Sequence, residues 1–85
     1  MTLSNKVVRV AALADGWLHV ELNDGRCGDF DAKPYMTSEF FAELQNEAYF
    51  QQVGLFFDGV GWPGGQDLGP DTVSAFLKVT EGVGQ

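Results

Sequence analysis

The chain is expected to fold as a small α+β domain: a three-stranded antiparallel meander, a helix, a hairpin and a second helix, in the order β-β-β-α-β-β-α, with both helices on one sheet face. Three observations carry that expectation. β-branched residues dominate Val7 to Leu13, inward and outward residues alternate from Trp17 to Leu22, and glycine turns separate these runs from a third, Arg26 to Asp31. Phe40, Phe41, Leu44 and Ala48 then recur at helical spacing. The last third holds a short apolar hairpin and then Gly69-Pro70, a pair that suits a helix start.

The meander can be read residue by residue. "VVRVAAL", Val7 to Leu13, forms a first strand, Asp15-Gly16 a turn, and "WLHVEL" a second strand. Leu18, Val20 and Leu22 point to the core, while Trp17, His19 and Glu21 point away. The loop into "RCGDFD" decides the register. A two-residue loop, Asp24-Gly25, would pair Leu18 with Asp31 and set carboxylates on the apolar face. A three-residue loop, Asn23 to Gly25 with Gly25 left-handed, pairs Leu18 with Phe30, His19 with Asp29 and Val20 with Gly28, and is preferred. Cys27, Asp29 and Asp31 then join Trp17, His19 and Glu21 on the outer face.

"MTSEFFAELQNEAYF", Met36 to Phe50, reads as one helix with Thr37 as N-cap, Glu39 in its first turn and Met36 stapled to Phe41. "VGLFF" and "VGW", joined by Asp58-Gly59, form the hairpin, which Pro63 ends because it lacks a donor. Gly69 caps a final helix from Pro70 to about Val79, with Leu68 against Val73 and with Val73, Phe76 and Leu77 facing inward. The whole chain, 1–85, makes one domain with a frayed tail from about residue 80.

Composition narrows the function classes. Of the 85 residues, 45% are apolar and 20% charged, enough for a packed core. Twelve acidic against five basic residues give a net charge of −7, a field that repels phosphate backbones and anionic membranes and attracts a small basic protein partner. Nucleic-acid binding through this domain and membrane association are therefore not expected; a homo-oligomer is compatible. The single cysteine, Cys27, excludes an intrachain disulfide, and the start of the chain has no uninterrupted apolar run, which points to the cytoplasm.

Sites for chemistry are sparse. Cys27, His19 and Asp29 on one strand face could in principle make a nucleophile, but carboxylates beside a thiol oppose its ionisation and no oxyanion donor is evident. Glu21, Asp29 and Asp31 fall short of the six or more oxygens that calcium needs, and one His with one Cys cannot hold zinc. No catalytic residue, metal or cofactor is expected. Trp17 is the odd residue on a polar face and reads either as a ring lying against the sheet rim or as a partner anchor, with His19, Glu21, Asp29 and Asp31 around it. In "GWPGGQDLGPD", Gly61 to Asp71, Gly64 and Gly65 can take positive φ and turn the strand into the last helix. Gln66 and Asp67 read there as surface polar residues. A phosphate nest is disfavoured, because Asp67 and Asp71 would repel the anion and no Lys or Arg stands between Lys33 and Lys78.

The ordered set "LNDGRCGDFD", "PYM", "FFAELQNEAYFQQV" and "GWPGGQDLGPD" resembles the bacterial family catalogued as domain of unknown function 2442. Its members share a "DG" hairpin, a "vDl" strand, an "F..L.d...F..v" helix and a "WpnG.Dl.Pd" motif. Gly64 stands here where the family has asparagine, and the strand reads "GDFD". The resemblance implies a small α+β fold with no assigned activity. It also implies, for some members, an attached helix-turn-helix segment, for which this sequence leaves no room beyond its second helix. In many genomes such proteins lie beside another small protein, an arrangement suggestive of toxin–antitoxin pairs. The expected function is thus non-catalytic protein interaction, in the manner of an antitoxin-like partner. The alternative is a small ligand-binding domain or enzyme using a pocket near Trp62, Gly64, Gly65 and Asp67.

Overall fold

The computed structural model describes residues 5–81. β1 (Val7–Ala12), β2 (Trp17–Leu22) and β3 (Cys27–Asp31) form the antiparallel meander. Its register is the one demanded by the alternation of apolar and charged residues: Leu18 pairs with Phe30, His19 with Asp29 and Val20 with Gly28. Gly25 sits at φ 93°, and the Asp24 carboxylate accepts hydrogen bonds from the Arg26 backbone N–H and from Nε, so the three-residue loop is pinned to the residue that follows it. The Arg26 amide, and then its guanidinium, keep the Asp24 carboxyl below the usual carboxylate range. Leu18, Val20 and Phe30 are fully buried in consequence.

A second, three-stranded antiparallel sheet joins β4 (Gly54–Phe56), β5 (Gly59–Gly61) and β6 (Asp67–Leu68). Its hairpin turn falls one position earlier than expected. Phe57 and Asp58, at φ 44° and 67°, occupy both left-handed turn positions, and Gly59 belongs to the strand. The shift has a packing reason: a side chain at Gly59 would collide with the Leu68 carbonyl of the neighbouring strand.

The segment from Met36 to Phe50 is not one helix. A 3-10 turn, Phe41–Gln45, is followed by extended Asn46 (ψ 115°), which restarts the chain as α1 (Glu47–Phe50). The Asn46 side chain accepts from the Tyr49 backbone N–H and so caps α1, offering the backbone a bond that competes with helix continuation. Burial rewards the break. Leu44 and Phe50, six residues apart, would sit about 120° apart around an unbroken helix, yet both are buried here. Phe40 and Ala48 are accordingly exposed instead of lining a stripe, and the capping hydroxyl of the first turn is Ser38, which accepts from Phe41 N–H, in place of Thr37.

The final helix, α2 (Pro70–Phe76), starts as expected at Gly69-Pro70, with Leu68 and Val73 both buried, but ends before Val79. Leu77 is extended, and Lys78–Glu81 forms β7, paired with β3 in a sheet of order β1-β2-β3-β7. Pairing satisfies the edge of β3, which a longer helix would leave with unmatched N–H and C=O groups. The fold is α+β, with two antiparallel sheets and two helices around one core that includes Phe30, Leu44, Phe50, Val60, Trp62 and Val73. No described helix is long and apolar enough to cross a membrane.

Gly28 makes the β3–β7 contact possible, because a Cβ there would lie 2.8 Å from Val79 Cα and closer still to the Lys78 carbonyl oxygen. Gly28→Ala is expected to detach β7 and destabilise the domain by about 1–3 kcal/mol. In hydrogen exchange the amides of 78–81 should lose protection while those of β1 and β2 keep it; unchanged protection of β7 would refute this pairing.

Candidate functional site

The glycine-proline stretch is held by a buried hydrogen-bond network centred on Gln66. Trp62 N–H donates to the Gln66 carbonyl at 2.9 Å and Gly65 N–H to the Trp62 carbonyl at 3.0 Å, closing a tight loop in which Gly65 takes φ 102°. Gln66 is not a surface residue. It is 1% exposed, and its amide nitrogen donates to the Phe40 carbonyl (2.9 Å) and to Glu43 Oε1 (3.1 Å). Its Oε1 accepts from the Tyr49 hydroxyl at 2.7 Å, and that hydroxyl in turn accepts from Gly64 N–H at 2.6 Å. A Cβ on Gly64 would stand 2.5 Å from the Tyr49 oxygen, so only glycine lets the phenol reach the backbone. The Trp62 indole, 5% exposed, donates to the Phe50 carbonyl at 2.9 Å and packs on the Phe50 ring. Of the four loop positions singled out from sequence, Trp62 is thus core, Gly64 and Gly65 shape the loop, and Asp67 is exposed on β6.

The outer sheet face gathers Trp17, His19, Glu21, Cys27, Asp29 and Asp31 as the register requires. Its carboxylates are matched within the face. Arg9 Nε lies 3.6 Å from Glu21, His19 Nδ1 3.0 Å from Asp29, and Lys33 Nζ 2.9 Å from Asp31. Partial burial pushes the Asp31 carboxyl up, but the hydrogen bonds and charge of Lys33 outweigh it, so Asp31 ionises below the usual carboxylate range. Trp17 is half-buried, and two ammonium groups, Lys33 and Lys78, sit over its ring at 4.9 and 5.1 Å from the centroid. Among the described residues no group of three or more His, Cys, Asp or Glu side chains is placed to hold a metal ion.

Two further features were not legible as sites in the sequence. At the β4–β5 hairpin, Leu55, Phe56 and Phe57 are all exposed, Phe57 to 84%. The signal was present in "LFFDG", but it points to a buried strand unless the turn is placed on Phe57-Asp58. The second is a groove of about 780 Å³ between the Leu13–Gly16 turn, the Lys33–Ser38 segment and the 41–50 region. It joins residues distant in the sequence, so no local pattern announces it.

The loop network predicts a sharp contrast within one motif. Gln66→Ala should cost about 1–3 kcal/mol by stranding the Tyr49 hydroxyl and the Phe40 carbonyl, and Trp62→Ala about 3–5 kcal/mol. Asp67→Asn should stay within about half a kcal/mol of the parent. Urea unfolding of the three variants checks this, and a neutral Gln66→Ala would show the amide is not clamped.

A family model described as "Protein of unknown function (DUF2442)" matches residues 7–78. No curated protein and no solved structure matches the chain. The matched span runs from the first residue of β1 to the first of β7 and takes in the hairpin, the clamped loop and both helices. The chain belongs to the DUF2442 family.

Proposed function

We propose that the protein is a non-catalytic protein-interaction module, working in the cytoplasm as an antitoxin-like partner of a small basic protein, and that the β4–β5 hairpin supplies its anchor. The observation that carries this reading is Phe57. A bulky side chain at positive φ costs about 1–3 kcal/mol, and such outliers gather where a surface must be presented in one shape. Here the strained residue is also the most exposed large apolar side chain among the described residues, at φ 44° and 84% exposure, with its ring against Phe56 at 4.5 Å. Asn at this position would relieve the strain and remove the apolar ring together. The cost of keeping phenylalanine is offset if the ring meets a partner.

Charge supports the sign of that partner. Residues 34–77 carry six carboxylates, Glu39, Glu43, Glu47, Asp58, Asp67 and Asp71, and no Lys, Arg or His. The basic residues lie outside that stretch, where three of the five pair with Glu21, Asp24 and Asp31. The negative field therefore comes from the half of the chain that holds the hairpin, and it would steer a cationic protein toward it. Trp17, with two lysines already over its ring, is the weaker anchor of the two.

Phe57→Asn separates interaction from folding. The variant should unfold at higher urea, by about 1 kcal/mol, yet bind the product of the adjacent gene at least tenfold more weakly in calorimetry. Equal affinity of variant and parent would remove the hairpin from the contact.

A further inference from the structure

The groove beside the 41–50 region has the two properties needed to hold a basic, apolar-faced peptide segment. Part of its lining is hydrocarbon: Leu13, 39% exposed, and half-buried Ala42 face it, backed by the buried Met36, Leu44 and Phe50. Its rim carries the carboxylates of Asp15, Glu39 and Glu47, none of which has an ion-pair partner among the described residues. The groove's one cation does not neutralise them. Lys33 Nζ is held at 2.9 Å by the Asp31 carboxylate and at 2.8 Å by the Asp15 carbonyl oxygen, and it makes no ion pair with the carboxylates of Asp15, Glu39 or Glu47.

Apolar lining and anionic rim together select a particular chemistry. Lysine and arginine lay hydrocarbon stems on apolar surface and keep their charged heads at its edge, which is the pattern the groove complements. A nucleic acid would bring phosphates against the rim, and a second copy of this chain would bring its own charge of −7. We infer that the groove is the docking site for a basic amphipathic segment of the partner protein, its Lys or Arg stems on Leu13 and Ala42 and its cations at Asp15, Glu39 and Glu47. The inference rests on the interaction role proposed above and adds to it a second contact, distinct from the hairpin.

The test uses the full chain labelled with 15N and three probes: a capped amphipathic Lys-Leu peptide, the same peptide with Glu for Lys, and spermine. The Lys-Leu peptide should shift the amides of Gly16, Ser38, Ala42 and Gln45, and the combined variant Glu39→Gln/Glu47→Gln should weaken it at least tenfold. The Glu peptide should leave those amides unmoved. Spermine matching the peptide in affinity would reduce the groove to a bare cation site, and shifts scattered over all surface carboxylates would reduce it to non-specific attraction. Either result, or no shift in the groove, overturns the inference. Calorimetry with the adjacent gene's product distinguishes the two proposals: dependence on Phe57 but not on Glu39 and Glu47 sinks the groove and leaves the hairpin standing. Dependence on the two glutamates alone does the reverse.

Discussion

The side-chain amide of Gln66, buried with both hydrogens and its oxygen engaged, is the constraint on which the second half of the molecule depends. A buried amide left unpaired costs about 1–3 kcal/mol, a large share of the stability of a domain this small. Satisfying it fixes several parts at once. The Phe40 carbonyl and Glu43 must be brought to its nitrogen, the Tyr49 hydroxyl to its oxygen, and the loop from Trp62 to Gln66 must curl tightly enough for Gly64 to meet that hydroxyl. The Trp62 indole closes the same junction from the core side through the Phe50 carbonyl.

This clamp explains why the sheet and the broken helical segment, each too short to be stable alone, hold one another in place. β6 begins at the residue after Gln66, pairs with β5, and through β5 supports β4 and the exposed turn at Phe57. On the other side, Phe40, Glu43, Tyr49 and Phe50 belong to the stretch that walls the groove. One polar network therefore positions both surfaces proposed for partner binding. A rigid support of this kind lets a strained aromatic turn persist, because the surrounding structure over-determines it.

What could be read in advance follows from the range of the forces involved. The meander was legible because alternation and a three-residue glycine loop are local, and a one-residue slip would have put Asp31 opposite Leu18. The start of α2 was legible for the same reason, in Gly69-Pro70 and the Leu68–Val73 pair. The continuous helix from Met36 failed because helical spacing of Phe40, Leu44 and Ala48 says nothing of Asn46, whose side chain captures the Tyr49 amide. β7 was hidden because its pairing depends on β3 being uncovered and on Gly28 allowing approach, neither of which the tail residues express. Gln66 looked like a surface residue because polarity was taken as exposure, when its partners lie 17 to 26 positions away. The outer-face residues were grouped correctly, but that Lys33 and Lys78 would sit over Trp17 follows only from the Lys33 turn and from β7.

The central claim is that the glycine-proline loop is a clamp and that recognition is delegated to the surfaces it supports. Hydrogen exchange at the Trp62 indole N–H reads that claim most directly, because this one proton lies at the junction of loop, α1 and core. The account predicts exchange only through global unfolding, with an opening free energy and a denaturant dependence equal to those of the slowest amides in β2. Exchange through a low-energy, denaturant-insensitive opening, while β2 stays protected, would contradict it and show the loop to be a mobile surface element.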